Sequence, residues 1–441
     1  MTRQRHTRWR AALAAGLAFS MIAAACADDD DDAETSGEGG GGEGASADLE
    51  GTTVTIFGSE VEGELQGNQD AFEQFTEDTG ITVEVSGDRS FETQIGTQID
   101  GGNPPDIALF PQPGKVNDFN EDIVALPDDV VSEVEENFDP GFTDLVTFEG
   151  ELKGVPLKAD LKSLVWYSPA AFEENGYEIP ETFDDFLALA DTMAADGNTP
   201  FCIGIGSDDA TGWPFTDWVE DFMLRMKGPE VYDQWYQHEI PFDDPDVVEV
   251  TEAVVDLWSQ EGYVFGGVEN VAATPFADAG LPLLDGDCQM HRQGNFYSAN
   301  FPDGTTYGPD GDVDAFFLPG SEEHPNITLS GGNYASALAD RPEVMEVMRF
   351  LASPEYASAR APSAGFLSPN KNVDTSQYPD EITQGFGEIL AEGDPVRFDA
   401  SDLMPGAVGA GTFWSAAVDL TTGAKDVPTA LAEVEESWPA D

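Results

Sequence analysis

Three short stretches gather aromatic rings beside planar polar groups: GWPFTDW (212–218), HRQGNFY (291–297) and GTFWS (411–415). Carbohydrate presents flat apolar C–H faces and rings of hydroxyls, so a site for it needs aromatic plates together with side chains that pair in a plane. Trp213, Trp218, Arg292, Gln293, Phe413 and Trp414 supply both kinds. Each tryptophan taken singly also suits a core, because large aromatics are highly buried on average. Trp218 and Phe222 share a helical face and fit the core best. Trp213, held between Gly212 and Pro214 in a loop, fits it worst.

Other chemistries find little support. His238, His291 and His324 lack HExxH or any zinc spacing, and there is no CxxC pair, so neither a metal nor a cofactor is expected. PDGDVDA (309–315) places Asp310, Asp312 and Asp314 as in a calcium loop, but Ala315 stands where that loop needs glycine and Ser321 where it needs a bidentate glutamate. GIGSDD (204–209) starts like a dinucleotide loop and then puts Asp209 at the third glycine's place. GxSxG and GxxxxGK[ST] are both missing. Carboxylates are so abundant that no pair stands out as a glycosidase couple, and no catalytic residue is assigned.

The elements that must position these groups are legible from periodicity. TVTIF (53–57) alternates, residues 68–80 space Phe72 and Phe75 on one helix face, and ITVEV (81–85) alternates again. Ser90 precedes a helix repeating Phe91, Ile95 and Ile99, and DIALF (106–110) is a third strand. Strand, helix, strand, helix, strand predicts a parallel sheet covered on both faces, with ligands at the carboxyl ends of the strands. Those ends are residues 58–62, 87–89 and 111–114. A second α/β unit starts near residue 161, with strands at 164–167 and 201–206 and helices at 182–197, 214–227 and 245–261. About 390 residues follow residue 50, enough for two domains.

The first ten residues carry four arginines and the next fifteen carry no charge, the pattern of an export signal. Fifteen residues span about 22 Å as a helix, short of the roughly 30 Å bilayer core. Ala23, Ala24 and Ala25 before Cys26 resemble the bacterial lipobox, with Ala23 in place of its usual leucine. That pattern implies that Cys26 is diacylated and begins the mature chain, two acyl chains giving stable anchoring; the alternative is a plain cleaved signal. Residues 26–50, rich in Asp, Gly and Ser, read as a flexible, self-repelling tether. The signal holds four of the 18 basic residues and none of the 86 acidic ones, so 14 basic residues face 86 acidic ones beyond it, a net of −72. Nucleic acid and bare anionic lipid are excluded as partners, and the charge points to a saline or alkaline medium. With Cys26 lipidated, Cys202 and Cys288 form one candidate disulfide, two buried free thiols being the alternative.

Taken in order, GGNPPDIALFPQPG, GVPLKADLKSLVWYSP, ATGWPFTDWVEDFMLR, GPEVYDQW, CQMHRQGNF, SGGNYASAL, FDASDLMPGAVGAGTFW and a late SWP resemble the sugar-binding solute-binding proteins of bacterial ABC importers, in particular the alpha-glucoside branch. The resemblance spans nearly all of residues 51–441. It implies a two-lobed Venus-flytrap fold (α/β, type II) with the sugar between lobes. Lobe one would be 51–160 plus about 319–365, and lobe two 161–318 plus about 366–441. The chain would cross near Ala159 and Asp160, return near Leu318 and cross again at 360–368. Carried over by motif, the first lobe offers Glu60, Arg89, Phe91 and Gln112, and the second Trp213, Asp217, Arg292, Phe413 and Trp414. Lys158, Asp160, Gly332 and Asn333 lie near the crossings. Ser168 stands where the family commonly has asparagine. The implied function is capture of a di- or oligosaccharide by a monomer outside the cytoplasm, held to the membrane through its lipid alone, and delivery to the transmembrane permease subunits and their ATPase. A secreted glycan-degrading enzyme, or the same fold carrying a polyamine or a metal, is the alternative.

Overall fold

The computed structural model describes residues 49–440. The signal, Cys26 and nearly all of the tether lie outside the described residues. No helix among the described residues is long and apolar enough to cross a membrane.

Strands β1 (Thr53–Gly58), β2 (Thr82–Gly87) and β3 (Ile107–Phe110) pair in parallel, with β1 in the middle. Both faces of this sheet are covered, as the unbroken apolar run of β3 requires. Ile107 and Leu109 join Val54, Ile56 and the helix Pro342–Ala352 in one cluster, while Ala108 and Phe110 join Phe57, Phe91 and Ile95 in another. The region read as one helix over 68–80 forms two, Glu62–Asp70 and Glu73–Thr79, the second ending at a left-handed Gly80.

A short hairpin, β4 (Thr147–Phe148) and β5 (Glu151–Leu152), leads into β6 (Val155–Leu161). Beyond it, β7 (Leu164–Tyr167) is flanked by β8 (Met290–Arg292) and β9 (Asp314–Phe317), both antiparallel to it. Its alternation divides two cores. Val165 and Tyr167 face a large cluster with Trp218, Trp235 and Trp258, whereas Leu164 and Trp166 face a smaller one with Phe301, Phe366 and Phe386. Residues 201–206 make isolated bridges instead of the expected strand. Gly204 and Gly206 leave one face of that segment without side chains to pack.

The halves are joined by long strands. β10 (Thr328–Ala337) pairs antiparallel with β6 and with β3, and its start pairs in parallel with β11 (Val396–Phe398). The first sheet is therefore mixed, where strand–helix alternation predicted a parallel one. Along β10, Ile327 just before it and Leu329 pack in the second half's large core, while Ala335 and Ala337 pack in the first half's. The return thus runs inside this strand, and Leu318 still packs in the second half. Beside it, the Ala159 N–H donates to the Leu367 carbonyl, so three chain segments meet at one level. Cys202 and Cys288 are disulfide-bonded.

Candidate functional site

At the level where β6 and β10 cross, the two halves border a cavity of about 130 Å³, partly open to solvent. The first half contributes the carboxyl ends of its parallel strands: Ser59 and Glu60 after β1, Arg89 and Glu92 after β2, Pro111 and Gln112 after β3. Lys158, Asp160, Lys162, Gly332 and Asn333 come from the crossing, and Trp213, Phe276, Phe296, Asp399, Ser401, Asp402 and Trp414 from the second half.

The second half's wall is aromatic. Trp213 stands edge-on to Phe276 with ring centres 4.9 Å apart and lies 5.9 Å from Phe296. Its position depends on Gly212, whose φ of 124° is open to glycine and whose side-chain carbon would sit 2.3 Å from the Trp414 carbonyl. Pro214 then pre-sets the first turn of the helix Trp213–Met226. Cations dress these rings: Arg89 lies over Phe276 at 4.5 Å, Lys158 over Phe296 at 5.2 Å and Lys162 over Trp213 at 5.7 Å.

Two ionic networks flank the cavity. In the first, Glu60 accepts from Asn68, Asn333 and Arg360, and Lys158 pairs with Glu64 at 2.7 Å and Asp160 at 3.4 Å. Burial pulls the Lys158 pKa down, but Asp160, Glu64 and Glu60 together hold it above the ordinary lysine value. Burial raises Asp160 and Glu60. In the second, Lys162 bridges Asp217 and Asp399 while Arg292 bridges Asp217 and Asp221, and Arg225 completes the chain through Asp221. Burial raises Asp217 to about 7, whereas Lys162, against the effect of burial, holds Asp399 at about 2. Asp217, Glu220 and Asp399 bring three carboxylate oxygens within 4.8 Å of one another. The oxygens of Asp217 and Asp399 are already taken by Lys162, Arg292, Ser401 and the Asp402 N–H. The Lys162 ammonium therefore fills the cation's place.

Of the residues expected from the sequence, Glu60, Arg89, Gln112, Lys158, Asp160, Trp213, Gly332, Asn333 and Trp414 meet at this cavity. Six do not line it, among them Trp218, which is core, and Gln293, which is buried with its Oε1 accepting from the Gly294 N–H. Phe91 is fully buried between Phe57 and Phe110, because it is the first apolar residue of a helix packed on the sheet. Phe413 is core, edge-on to Trp235 and Phe242. Asp217 and Arg292 are spent on each other behind the wall, and Asp217 reaches the cavity only through Lys162. Sequence reasoning passed over Glu64, Glu92, Lys162, Phe276, Phe296, Asp399, Ser401 and Asp402. Lys162, Phe296 and the 399–402 run lie inside stretches already singled out, so proximity to those motifs was the signal. Phe276 carried none. Two acceptors at the wall are buried without a hydrogen-bond donor among the described residues, Glu92 Oε2 and Gln112 Oε1, and Asp160 Oδ1 has only the Lys158 ammonium, at 3.4 Å. The Trp414 indole N–H is likewise buried, without an acceptor among the described residues. Unpaired buried polar atoms are costly, and a polyhydroxyl solute would satisfy both kinds.

Comparison with known proteins agrees with this geometry. The model for the family "Bacterial extracellular solute-binding protein" matches residues 59–358. The chain is 40% identical over 402 residues to the osmoprotective compounds-binding protein GgtB of Synechocystis, covering 90% of this chain and 94% of that one. It is 38% identical over 410 residues to the alpha-glucosides-binding periplasmic protein AglE of Rhizobium meliloti, covering 89% and 88%. Among solved structures it is similar to the bacterial solute receptor AcbH, with a TM-score of 0.76 at 19% identity over 87% of this chain and 98% of that one. A chitin oligosaccharide binding protein gives a TM-score of 0.75 at 17% identity, covering 87% and 97%. The two-lobed α/β fold is shared with these structures. The chain belongs to the bacterial extracellular solute-binding protein family.

Proposed function

We propose that this member of the family captures an alpha-glucoside, of two or a few rings, between its halves and hands it unchanged to a permease driven by an ATPase. The observation that carries the reading is the pairing of an aromatic wall, Trp213 with Phe276 and Phe296, against the donor-hungry acceptors Glu92 and Gln112 on the facing wall. One relative is named for alpha-glucosides and another for osmoprotective compounds; an alpha-glucoside that also protects against osmotic stress would suit both names and the acidic composition. Solute held by one half adds contacts to the other and shifts the population toward the closed form. Cys26, diacylated, with residues 26–50 as leash, keeps the loaded protein at high effective concentration beside its permease.

A calorimetric panel of maltose, trehalose and sucrose tests the reading. One-to-one binding with no release of reducing sugar on prolonged incubation is expected. Turnover of any of the three, or no binding by all three, would defeat it. Incorporation of labelled fatty acid that vanishes in Cys26→Ala tests the anchor.

A further inference from the structure

The end of β11 and the segment after it face both halves. Phe398 and Leu403 pack with Phe57 and Phe110 of the first half, while Ala400, Met404 and Val408 belong to the large core of the second. Asp399 and Asp402 of this segment line the cavity. Against it lies the short helix Pro113–Asp118, whose N-cap residue Gln112 lines the cavity from the first half.

Two contacts pin the helix to the segment, one at each end of the helix. A side-chain carbon at Gly114 would meet the Met404 carbonyl oxygen at 1.9 Å, so only the bare backbone allows this approach. Four residues on, Asp118 Oδ2 accepts a hydrogen bond from the Gly406 N–H at 3.0 Å, and Lys115 lies beside it. A carbon at Gly406 would meet that same oxygen at 2.5 Å. Neither Gly114, Asp118 nor Gly406 lines the cavity.

We infer that Gly114 against Met404 and Asp118 on the Gly406 N–H form a clasp that sets the spacing of Gln112 and Asp402 across the cavity, and so tunes how tightly solute is held without touching it. The inference rests on the proposed sugar reading. Asp118 is a positioning residue. A carboxylate accepting one backbone N–H at a partly exposed site supports an effect of roughly threefold to tenfold on affinity. The contribution enters because the contact ties the helix that carries Gln112 to the segment that carries Asp402, with or without solute.

The test uses the full-length protein and the variants Asp118→Ala, Asp118→Asn and Gly114→Ala. Asparagine keeps an oxygen that accepts from Gly406. In sugar-free protein, hydrogen exchange over residues 404–408 is expected to quicken at least threefold in Asp118→Ala and to stay at the wild-type rate in Asp118→Asn. For whichever of maltose, trehalose and sucrose the wild type binds, Asp118→Ala and Gly114→Ala are expected to weaken affinity roughly threefold to tenfold, with Asp118→Asn within about twofold. Wild-type exchange in Asp118→Ala overturns the clasp, as does unchanged affinity in both weakening variants. A lowered sugar-free melting temperature in Asp118→Ala would make the contact an element of the fold and also overturn it. Should the wild type bind none of the three sugars, the sugar reading fails on its own panel while the exchange arm still decides the clasp.

Discussion

The two ionic networks beside the cavity are built from the same materials and are finished differently. Around Lys162 and Arg292, every oxygen of Asp217, Asp221 and Asp399 has a partner, and all of these side chains are at most 8% exposed. Around Lys158 the pairing is looser: its distances run from 2.7 Å to Glu64 through 3.4 Å to Asp160 to 3.6 Å to Glu60, and Asp160 Oδ1 has no hydrogen bond among the described residues. Asp217 and Asp221 are fully paired and lie off the cavity, although Lys162 and Asp399 border it, and the network fixes the helix that begins at Trp213. An unsaturated one can exchange partners as solute enters. The difference assigns frame to the first network and contact to the second.

Removing one member of the frame is the strongest way to break that assignment. Arg292→Ala leaves Asp217 and Asp221 buried with less compensation, and breaking a buried pair in this way costs about 3 to 5 kcal/mol. Denaturant unfolding of the variant is expected to show a loss of that size. A loss below about 1 kcal/mol would mean that the network is not what holds this half together.

Titration sharpens the contrast next. His291, on β8 beside Arg292, is buried with Nδ1 on the Cys202 carbonyl, and burial pushes its pKa down to about 4 from an ordinary value near 6.5. Between those values the unfolded chain binds a proton that the folded one refuses, so stability is full above pH 6.5 and is lost as pH falls toward 4. The size is about 3 kcal/mol, and unfolding curves from pH 4 to 7 should show that much less dependence on pH in His291→Gln than in the wild type. Asp217 works in the other direction. Its folded pKa of about 7 lies above its unfolded value, so its contribution weakens as pH rises through that window.

Within the cavity, Trp213→Ala should weaken sugar binding by about 1 to 3 kcal/mol, read by calorimetry, while the melting temperature moves little. Trp213 is partly exposed, whereas Trp218, five residues on, is 2% exposed and packs on Phe201 and Trp258. Trp218→Ala is therefore expected to show the reverse, a loss of stability. Equal binding by wild type and Trp213→Ala would remove the aromatic plate from the site.

The same pair of tryptophans shows how far the sequence could be read. Helical spacing put Trp218 in the core, a local argument that held; Gly212 with Pro214 suggested a loop at Trp213, which instead opens the helix Trp213–Met226 and stays partly exposed there. The carboxyl ends of β1, β2 and β3 were legible as the first half's wall for the same reason, since strand–helix alternation fixes which loops converge. The course of β10 was not legible, because a strand that serves two cores has no local signature of where it changes sides. Arg292 and Asp217 have the composition of a sugar site, and only their mutual distance of 3.2 Å reveals that they satisfy each other. Phe413 and Trp414 are neighbours in sequence, yet one packs on Trp235 and the other lines the cavity, a choice made by helix direction.

The smallest effect tests the contact network directly. Asp160→Asn removes one of three charges near Lys158 and keeps a side chain of the same shape. Lys158 retains Glu64 at 2.7 Å, so its charge stays compensated and stability should hold within about 1 kcal/mol. Affinity should fall by about 1 kcal/mol or slightly more, since a hydrogen bond from a hydroxyl to a charged acceptor is stronger than one to a neutral amide. Because burial raises the Asp160 pKa above the ordinary aspartate value, part of that difference disappears as pH falls and the wild-type carboxyl takes up its proton. Wild-type and variant affinities should therefore converge on acidification, a pattern that loss of fold would not produce. If the gap instead stayed constant down to pH 4, Asp160 would be acting through its shape, and the looser network would have to be counted as frame as well.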